Sequence, residues 1–520
     1  MNDFATLDLP KLDFATMLER LDGPAPRVRW RDGAWTDGEL GARVRAFADA
    51  LETAGAQRIA SRLDNGPEWL ALDLAIRKLG RVHVPLPTFF SPAQTMHALI
   101  GSGADALVVP ADAPLPEAFA AAPAVALGDA LTLLRLTPRP TALPAGTATI
   151  TYTSGTTGAP KGVCLDAGAL YAVAASLAEA AAPLSPTRHL CLMPLSTLLE
   201  NVAGLYAALI SGAEIAVPPL AEVGYTGAAG LDVPTLLACL HRYRPESAIL
   251  LPQLLLALVM AAEQGAPLPD SLKFLAVGGG RVGPALIARA EALGLPVYEG
   301  YGLSECASVV CLNRPGAQRA GSVGKPLPHA TVTMRDGELF VEGVRCLGYL
   351  GEDGQAADAL ANGRVATGDL GHIDADGFVH ITGRRKNVFI TSFGRNVSPE
   401  WVESELLQHP AFAQAMVYGE ARPFNVAIVW PRRADLDNDA LRQALHEINR
   451  GLPDYAQVRD IVRADAPFSF ADGLLTSNGR PRRDAILARY RDAVASRYAD
   501  ASASPSASIV PLSSLSGVDA

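Results

Sequence analysis

The chain has 520 residues, enough for about two to four domains of ordinary size and a large buried core. Apolar residues make up 49% of the sequence and charged residues 19%, which excludes an intrinsically disordered chain. The 44 Lys and Arg residues are outnumbered by 54 Asp and Glu residues, and the net charge is −10. No basic face therefore predicts binding to nucleic acid or to an anionic membrane.

The cysteines and the apolar stretches of the sequence indicate the cellular compartment and whether the chain enters a membrane. The six cysteines are scattered without a C-x-x-C pair, which favours buried, reduced thiols and a cytoplasmic protein. The N-terminal stretch MNDFATLDLPKLD lacks a basic region followed by an apolar one, so we expect no secretory signal. The most apolar stretch, 247–262, contains Pro252 and Gln253 and is shorter than the ~20 residues that span a bilayer. It favours a buried strand that runs into a helix, and we expect no integral membrane segment.

The first half of the chain has the pattern of an α/β fold. A capping box at Thr36 to Glu39 predicts the start of a helix, whose apolar positions repeat on one face until Gly55. Short apolar runs then alternate with Ala- and Leu-rich helical stretches. The predicted strands are 106–109, 149–153, 248–251, 274–279 and 297–302, and the predicted helices include 167–181 and 284–293. This alternation predicts parallel sheets covered by helices.

After about residue 330 the pattern changes to paired strands. GELFVEG and GHIDADGFVHITGR read as strands, with Asp376-Gly377 at a tight hairpin turn, and they predict a small barrel-like region. A smaller α+β domain is expected from residue 384. Its predicted elements are a helix opened by Ser398 and Pro399, strands near 413–419 and 425–430, and a helix across 438–449. We therefore predict a large domain (1–383), a small mobile lid domain (384–498) and a disordered Ala- and Ser-rich tail (499–520).

Residues 149–163, TITYTSGTTGAPKGV, join a predicted strand to a loop rich in Ser, Thr and Gly. The P-loop pattern does not fit, because Ala159 and Pro160 separate Gly158 from Lys161 and no hydroxyl residue follows the lysine. Backbone N–H groups, several hydroxyls and one ammonium would together grip an anionic group with many oxygen atoms. The residues concerned are Thr153, Ser154, Gly155, Thr156, Thr157, Gly158 and Lys161. From composition alone, a plain turn before a helix is an equal alternative.

The full string TYTSGTTGAPKGV resembles the signature loop of the adenylate-forming superfamily, which includes acyl-CoA and aryl-CoA synthetases, luciferases and adenylation domains of peptide synthetases. The resemblance spans roughly residues 30–490, and further motifs follow in the order of the family. They are YEGYGLSE (298–305), GSVGKPLP (321–328), ATGDLGHID (366–374), GRRKNVFI (383–390) and LLTSNGRPRR (474–483). The resemblance implies an ATP-dependent enzyme that activates a carboxylic acid as acyl-AMP, releases pyrophosphate and passes the acyl group to a thiol.

The resemblance also implies a role for each matched position. The loop 153–158 and Lys161 are expected to hold the β- and γ-phosphates of ATP, and the glycine run 278–280 to let the backbone approach the adenine edge. The implied nucleotide-binding residues are Thr153, Ser154, Gly155, Thr156, Thr157, Gly158, Gly279, Gly280, Tyr301, Gly302, Asp369 and Arg384, and the implied catalytic residues are Lys161, Ser304, Glu305 and Arg480.

The expected contacts follow from the chemistry of these side chains. Glu305 would hold Mg²⁺, a hard ion that takes oxygen ligands, and Ser304 would bring to the α-phosphate the hydroxyl that relatives more often take from Thr. Tyr301 would lie against adenine. Asp369 would accept both ribose hydroxyls, with Arg384 supporting the same ribose.

Arg480 departs from the family pattern, which normally has lysine at this position of the last motif. Arginine keeps the positive charge and binds carboxylate or phosphate, but its planar fork is bulkier than a lysine ammonium. We expect adenylation to survive with altered geometry; a weakened or lost first step is the alternative. Lys386 occupies the hinge position of the family, where backbone rotation would swing the small domain between the two half-reactions.

The substrate is expected to be an apolar monocarboxylic acid. The stretches MPLSTLLENVAGLYAAL, GGGRVG and CASVV are apolar, have small side chains and offer no obvious buried cation for a second carboxylate. PLSTLLENVAG resembles long-chain acyl-CoA synthetases and favours a fatty acid, while an aromatic acid stays open.

The acceptor is expected to be CoA or the phosphopantetheine of an acyl carrier protein. The rival hypotheses are a ligase that loads a fatty or aromatic acid onto a carrier protein, a member with a different second step such as lactone formation, and a nucleotide-binding homologue that has lost catalysis because of Arg480.

Overall fold

The computed structural model describes residues 13–114, 119–153, 161–226, 230–350, 363–476 and 479–502. The chain divides into two compact units. The large unit comprises Met1–Asn387 and Leu475–Arg480, and the small unit comprises Val388–Leu474 and Pro481–Ala520. The division predicted from the sequence, with its boundaries at 383 and 498, stays a prediction, as does the mobility of the small domain.

An eight-stranded sheet forms one layer of the large unit. Its central strands, which include Arg58–Ser61 and Val82–Pro85, are parallel, and antiparallel strands complete both edges. In spatial order the strands are Gly348–Tyr349, Lys161–Leu165, Thr149–Thr153, Val82–Pro85, Arg58–Ser61, Ala106–Pro110, Leu131–Arg135 and Ala124–Leu127.

A nine-stranded sheet forms a second layer. Its middle strands are parallel, as expected where helices connect successive strands, and hairpins extend each edge. In spatial order the strands are Lys325–Pro326, Ser308–Leu312, Val297–Leu303, Phe274–Val277, Ser247–Leu250, Arg188–Leu190, Glu214–Ala216, Pro26–Trp30 and Gly33–Thr36.

The region predicted to be barrel-like contains a four-stranded antiparallel sheet. Its strands, in order, are Ala330–Arg335, Glu338–Gly343, Arg364–Ile373 and Val379–Arg384. One face packs on the strand Ser308–Leu312 around a core that includes Val310, Leu339 and Val365. Asp376 and Gly377 lie in the hairpin turn, where Gly377 has φ +85°, as their sequence predicted. A further two-stranded ladder pairs Tyr225–Thr226 with Gly230–Leu231.

The helices of the large unit cover its sheets. The capping box forms as predicted: Glu39 N–H donates to Thr36 Oγ1 and Thr36 N–H donates to Glu39 Oε2. Several other helices begin with proline, whose missing N–H costs nothing in the first turn. The α-helices are Phe14–Glu19, Asp37–Thr53, Pro67–Lys78, Pro92–Ser102, Ala167–Ala181, Ala207–Ser211, Leu220–Val223, Val233–Tyr243, Pro252–Glu263 and Pro284–Ala292. A π-helix covers Leu199–Tyr206, and 3₁₀ turns cover Ala182–Leu184 and Ser304–Cys306.

The small unit is an α+β structure with its own core. Phe412–Tyr418 pairs antiparallel with Asn425–Pro431, which pairs parallel with Val458–Arg463. A short hairpin joins Phe389–Ile390 to Asn396–Val397. The helices are Pro399–Gln408, Asn438–Asn449, Arg483–Arg489 and Arg491–Ser502, with a 3₁₀ turn at Asp454–Ala456. The last helix contains the first four residues of the predicted tail, and 503–520 lie outside the described residues.

The predicted α/β fold with a separate α+β C-terminal part is confirmed, and most predicted elements lie within about two residues of their observed bounds. The strand predicted from Gly371 begins seven residues earlier, at Arg364. The stretch 247–262 is, as expected, a buried strand followed by the helix Pro252–Glu263. Within the described residues, the helical run Ala167–Leu184 is long and apolar enough to cross a membrane by composition. Seven of the 15 residues of the α-helix at its start are buried.

Candidate active site

The glycine run 278–280 follows directly after the parallel strand Phe274–Val277. Gly279 has φ +76°, and a Cβ at this position would lie 2.9 Å from Leu251 Cδ2. Gly279 and Gly280 are exposed, so their backbone is accessible to a ligand. This end of a parallel strand is where ligands commonly bind in α/β sheets.

The strand Val297–Leu303 ends in a tight turn that carries Ser304 and Glu305. A Cβ at Gly302 would lie 1.9 Å from Ser308 O, so only glycine permits this close approach of two chain segments. After the turn, Ala307 has φ +57° and Ser308 has φ +122°, values that residues with side chains rarely adopt. Strained backbone of this kind concentrates at functional sites, and it fixes the position of the neighbouring Glu305.

Glu305 and Lys161 both lie beside Tyr349. The Tyr349 hydroxyl donates a 2.6 Å hydrogen bond to Glu305 Oε1, and the Cys346 N–H donates to the Glu305 carbonyl at 2.6 Å. Lys161 Nζ lies 5.6 Å from the centre of the Tyr349 ring. The structure thus places a half-buried carboxylate and an exposed ammonium around one aromatic side chain. The donor set fits a magnesium-bound phosphate, because Mg²⁺ prefers carboxylate oxygens and the ammonium offers N–H donors to phosphate.

A second group unites Tyr301, Asp369 and Arg384. Asp369 is 3% exposed; its Oδ1 lies 2.8 Å from Arg384 Nε, and its Oδ2 accepts a 2.6 Å hydrogen bond from the Tyr301 hydroxyl. Burial raises the pKa of Tyr301 well above its usual value, and Asp369 raises it further, so the phenol stays a donor. A carboxylate has about four acceptor positions, so Asp369 retains capacity for the two adjacent hydroxyls of a ribose.

Arg480 lies at the glycine run within the large unit. Its Nη2 donates a 2.8 Å hydrogen bond to Gly279 O, and its own backbone is held by Thr476, which donates through N–H to Arg480 O at 2.8 Å. The predicted catalytic cation and the predicted adenine-binding backbone are therefore in direct contact.

Five residues of the predicted phosphate loop lie outside the described residues: Ser154, Gly155, Thr156, Thr157 and Gly158. The two ends of the loop are paired across an antiparallel ladder, where Thr153 faces Lys161 and its hydroxyl donates to Lys161 O at 3.4 Å. The roles given to all the site residues remain predictions.

Sequence reasoning missed several buried or half-buried polar residues near these groups. Tyr349, which joins Lys161 to Glu305, belongs to none of the matched motifs. Glu299 is 9% exposed, and burial raises its pKa to about 8 against the opposing charge of Arg281. Glu200 is fully buried in an otherwise apolar stretch. A single acidic residue inside an apolar run was the signal available for Glu299 and Glu200.

Comparisons with known proteins match both parts of the chain. Residues 21–351 match the family described as AMP-binding enzyme, and 386–502 match the AMP-binding enzyme C-terminal domain. The long-chain-fatty-acid–CoA ligase FadD15 of Mycobacterium bovis is 30% identical over 483 residues, covering 76% of this chain and 78% of the relative.

Two solved structures are also similar. o-Succinylbenzoate CoA synthetase (MenE) from Bacillus subtilis, in complex with the acyl-adenylate intermediate OSB-AMP, has a TM-score of 0.73 and 25% identity, covering 90% of this chain and 97% of its own. The anthranilate CoA ligase AuaEII, in complex with anthranoyl-AMP, has a TM-score of 0.77 at 20% identity, covering 93% and 98%, and this likeness concerns the fold.

Proposed function

Because the chain belongs to the AMP-binding enzyme family, we propose that it activates an apolar monocarboxylic acid with ATP and transfers the acyl group to CoA. Membership confirms the resemblance found in the sequence, and with the curated ligase relatives it makes the chain an enzyme of the AMP-forming acid–CoA ligase type. The identity of the acid, the acceptor and the roles of individual residues are the proposal.

The observation that carries the proposal is the hydrogen bond from Arg480 to Gly279 O. In the first step, a carboxylate oxygen of the acid attacks the α-phosphorus of MgATP, the bond to the β-phosphate breaks and pyrophosphate leaves. Arg480 would neutralise the approaching carboxylate and the α-phosphate, which otherwise repel each other. Lys161 and Glu305, grouped around Tyr349, would hold the departing pyrophosphate and its magnesium ion.

In the second step, a thiolate attacks the acyl carbon and the bond to AMP breaks. Asp369, Arg384 and Tyr301 would keep the nucleotide in place during both steps through the ribose. Holding the reactants in a fixed orientation is itself a large part of such catalysis.

A fatty acid is the proposed substrate class. The π-helix Leu199–Tyr206 contributes buried apolar side chains, and the surrounding stretch 193–209 contains no Lys, Arg or His. FadD15, a long-chain-fatty-acid ligase, supports this class, whereas the two solved relatives act on aromatic acids and keep an aromatic substrate as the alternative. The six cysteines are all buried and unpaired, which supports a reducing compartment such as the cytoplasm.

Acid-dependent pyrophosphate release tests the proposal. Wild-type protein, MgATP and a series of fatty and aromatic acids should give release with at least one acid class, and thioester should form with CoA. Loading of acyl carrier protein in place of CoA would favour the carrier ligase, and absence of release with every acid would favour the nucleotide-binding homologue.

The role of Arg480 is tested by substitution. Arg480→Ala should lower the release rate by about a hundredfold, and Arg480→Lys should restore most of it because it returns the charge. Arg335→Ala is the matched control, since Arg335 is exposed and pairs with the adjacent Asp336. An unchanged rate in Arg480→Ala would show that this guanidinium does not act in the first step.

A further inference from the structure

The π-helix Leu199–Tyr206 is anchored by a buried polar residue near each end. Glu200 and Tyr206 are both 0% exposed. π-helical turns are rare and are frequently found at functional sites. A buried charge or hydroxyl must be compensated by hydrogen bonds, so the partners of these two residues show what holds the helix.

Glu200 ties the start of the π-helix to the nine-stranded sheet. Its Oε2 accepts from the Met193 N–H at 3.0 Å, and its Oε1 lies 3.3 Å from His189 Nε2. His189 Nδ1 in turn lies 3.0 Å from Ser247 Oγ, in register on the neighbouring parallel strand. A Cβ at Gly204 would lie 2.1 Å from Glu200 Oε1, so this glycine makes room for the carboxylate.

The side chains of His189, Cys191 and Glu200 are all of types that bind metals, and their ligand atoms lie within 4.8 Å of one another. The geometry nevertheless favours a hydrogen-bonded network, because both Glu200 oxygens and both His189 nitrogens already face polar partners. Burial, and after it the Glu200 carboxylate, raises the pKa of Cys191, so the thiol stays protonated within this network.

Tyr206 ties the end of the π-helix to the helix Pro67–Lys78 and, through that helix, to the eight-stranded sheet. Its hydroxyl donates to Asp73 Oδ2 and accepts from Arg77 Nε at 3.1 Å. His83 Nδ1 lies 2.6 Å from Asp73 Oδ1, and Arg77 donates to Thr149 Oγ1. Burial alone would raise the pKa of Asp73, but Arg77 and His83 lower it overall, so the carboxylate is charged and paired. Thr149 begins the strand that leads into the predicted phosphate loop.

The π-helix also touches the glycine run. A Cβ built on Gly279 would lie 3.4 Å from Cδ2 of Leu199, the first residue of the π-helix. It would lie 2.9 Å from Leu251 Cδ2. Leu251 directly follows the strand that begins at Ser247, so both leucines belong to segments joined by the Glu200 network. Gly279 is the residue whose carbonyl accepts from Arg480.

We propose that Glu200 is a positioning residue that sets where Leu199 lies beside Gly279, and thereby the width of the acid site next to Arg480. The inference rests on the proposed function, which puts the acid's carboxylate at Arg480. The Glu200 carboxylate holds the π-helix through His189 and the Met193 N–H, and it is not proposed to contact a reacting atom. The side chains proposed to hold the phosphates and the ribose of ATP, such as Lys161, Glu305 and Asp369, lie on other segments, so we expect the network to act more on the acid than on ATP.

Glu200→Gln tests this role because it keeps the shape and removes the charge. We expect the KM for the acid to rise about tenfold, with the preferred acid length shifted and the KM for ATP within about twofold of wild type. Glu246→Gln is the matched control: Glu246 is also buried beside the same strands, where it accepts from the Thr187 N–H and from Lys273. Glu246→Gln should lower the melting temperature, but it should not raise the KM for the acid relative to the KM for ATP. Equal rises in both KM values for Glu200→Gln would overturn the proposal.

A double-mutant cycle with Leu199→Ala asks whether Glu200 acts through Leu199. If it does, the double variant should lose no more kcat/KM for the acid than Leu199→Ala alone, whereas additive losses would contradict the mechanism.

Hydrogen exchange separates this inference from the proposed function. If wild type releases no pyrophosphate with any acid, the proposed function fails, and amide exchange at 199–206 and 278–280 still decides the positioning role. Faster exchange there in Glu200→Gln than in Glu246→Gln would support the role, and unchanged exchange would refute it. The same measurement applies if Glu200→Gln is too unstable for kinetics, with Gly204→Ala as the second variant.

Discussion

Glu299 should make the folded protein less stable as the pH rises, and replacing it by glutamine should remove that dependence. Glu299 lies in the strand Val297–Leu303, beside Val277 and one residue before Gly300, and it is 9% exposed. Its carboxyl group accepts from the Val282 N–H and feels the charge of Arg281, yet burial dominates and raises its pKa to about 8. The folded protein therefore keeps this carboxyl protonated at neutral pH.

The sign follows from proton binding. In the unfolded chain Glu299 ionises near its ordinary value of 4.5, whereas in the folded chain it ionises near 8. Between these values the folded state binds the extra proton, so stability falls as pH rises. At 1.36 kcal/mol for each pH unit, the loss reaches about 4 kcal/mol at pH 8, where the folded protein is half ionised at this group, and levels off at about 5 kcal/mol above it. Below pH 4.5 both states are protonated and the effect vanishes.

The assay compares wild type with Glu299→Gln by thermal unfolding from pH 5 to pH 8.5. Glutamine can still accept from the Val282 N–H, and every other titrating group cancels in the difference between the two proteins. We expect the variant to gain stability relative to wild type steadily across this range. A constant difference, with the variant less stable at every pH, would mean that Glu299 is ionised and paired with Arg281 in the folded protein, and it would refute the reasoning.

Two further substitutions test packing and charge. Gly302→Ala should destabilise the large unit by about 3 kcal/mol, because its methyl group would meet Ser308 O, while Gly23→Ala, where a Cβ meets nothing within 4 Å, should be near neutral in a thermal-shift assay. Arg483→Met should destabilise the small unit by about 3 kcal/mol in denaturant unfolding, because it removes the cation that lies 2.5 Å from the buried Glu403 carboxylate. The exposed pair Arg489–Asp465 is its control, and an equal effect of Arg489→Met would contradict the role of burial.

Local sequence patterns were sufficient for most of the fold. The capping box at Thr36 and Glu39 depends on residues three apart, and it forms as predicted. Runs of alternating apolar strands and helices likewise gave the parallel sheets. The predicted site residues came from a resemblance, and spacing accounts for only some of their contacts. Asp369 faces Arg384 across the hairpin of Arg364–Ile373 and Val379–Arg384, whereas its contact with Tyr301 depends on where the fold places the strand Val297–Leu303.

The π-helix was beyond prediction for a different reason. Leu199–Tyr206 has the composition of an ordinary amphipathic α-helix. Its local helix propensity does not distinguish a π-helix, with its wider turn, from an α-helix. The contact that accompanies it, between Glu200 and His189 with Gly204 leaving the space, joins residues from different elements of the fold. Such a constraint is a tertiary one, and tertiary contacts override propensity.

The buried acidic residues must each be neutralised; Asp73 and Glu299 stand in the sequence without another acid beside them, whereas Glu403 lies between Glu400 and Glu405. Asp73 has Arg77 and His83, and Glu403 has Arg483, so in each case a cation or imidazole lies within hydrogen-bonding reach. Glu299 has the Val282 N–H and a more remote charge on Arg281, and neutralisation by a bound proton is the remaining solution. Neutralisation by a proton needs no second side chain and takes up almost no space. Glu299 is followed directly by Gly300 and Tyr301, and a second bulky side chain here would obstruct the backbone that the nucleotide is proposed to approach.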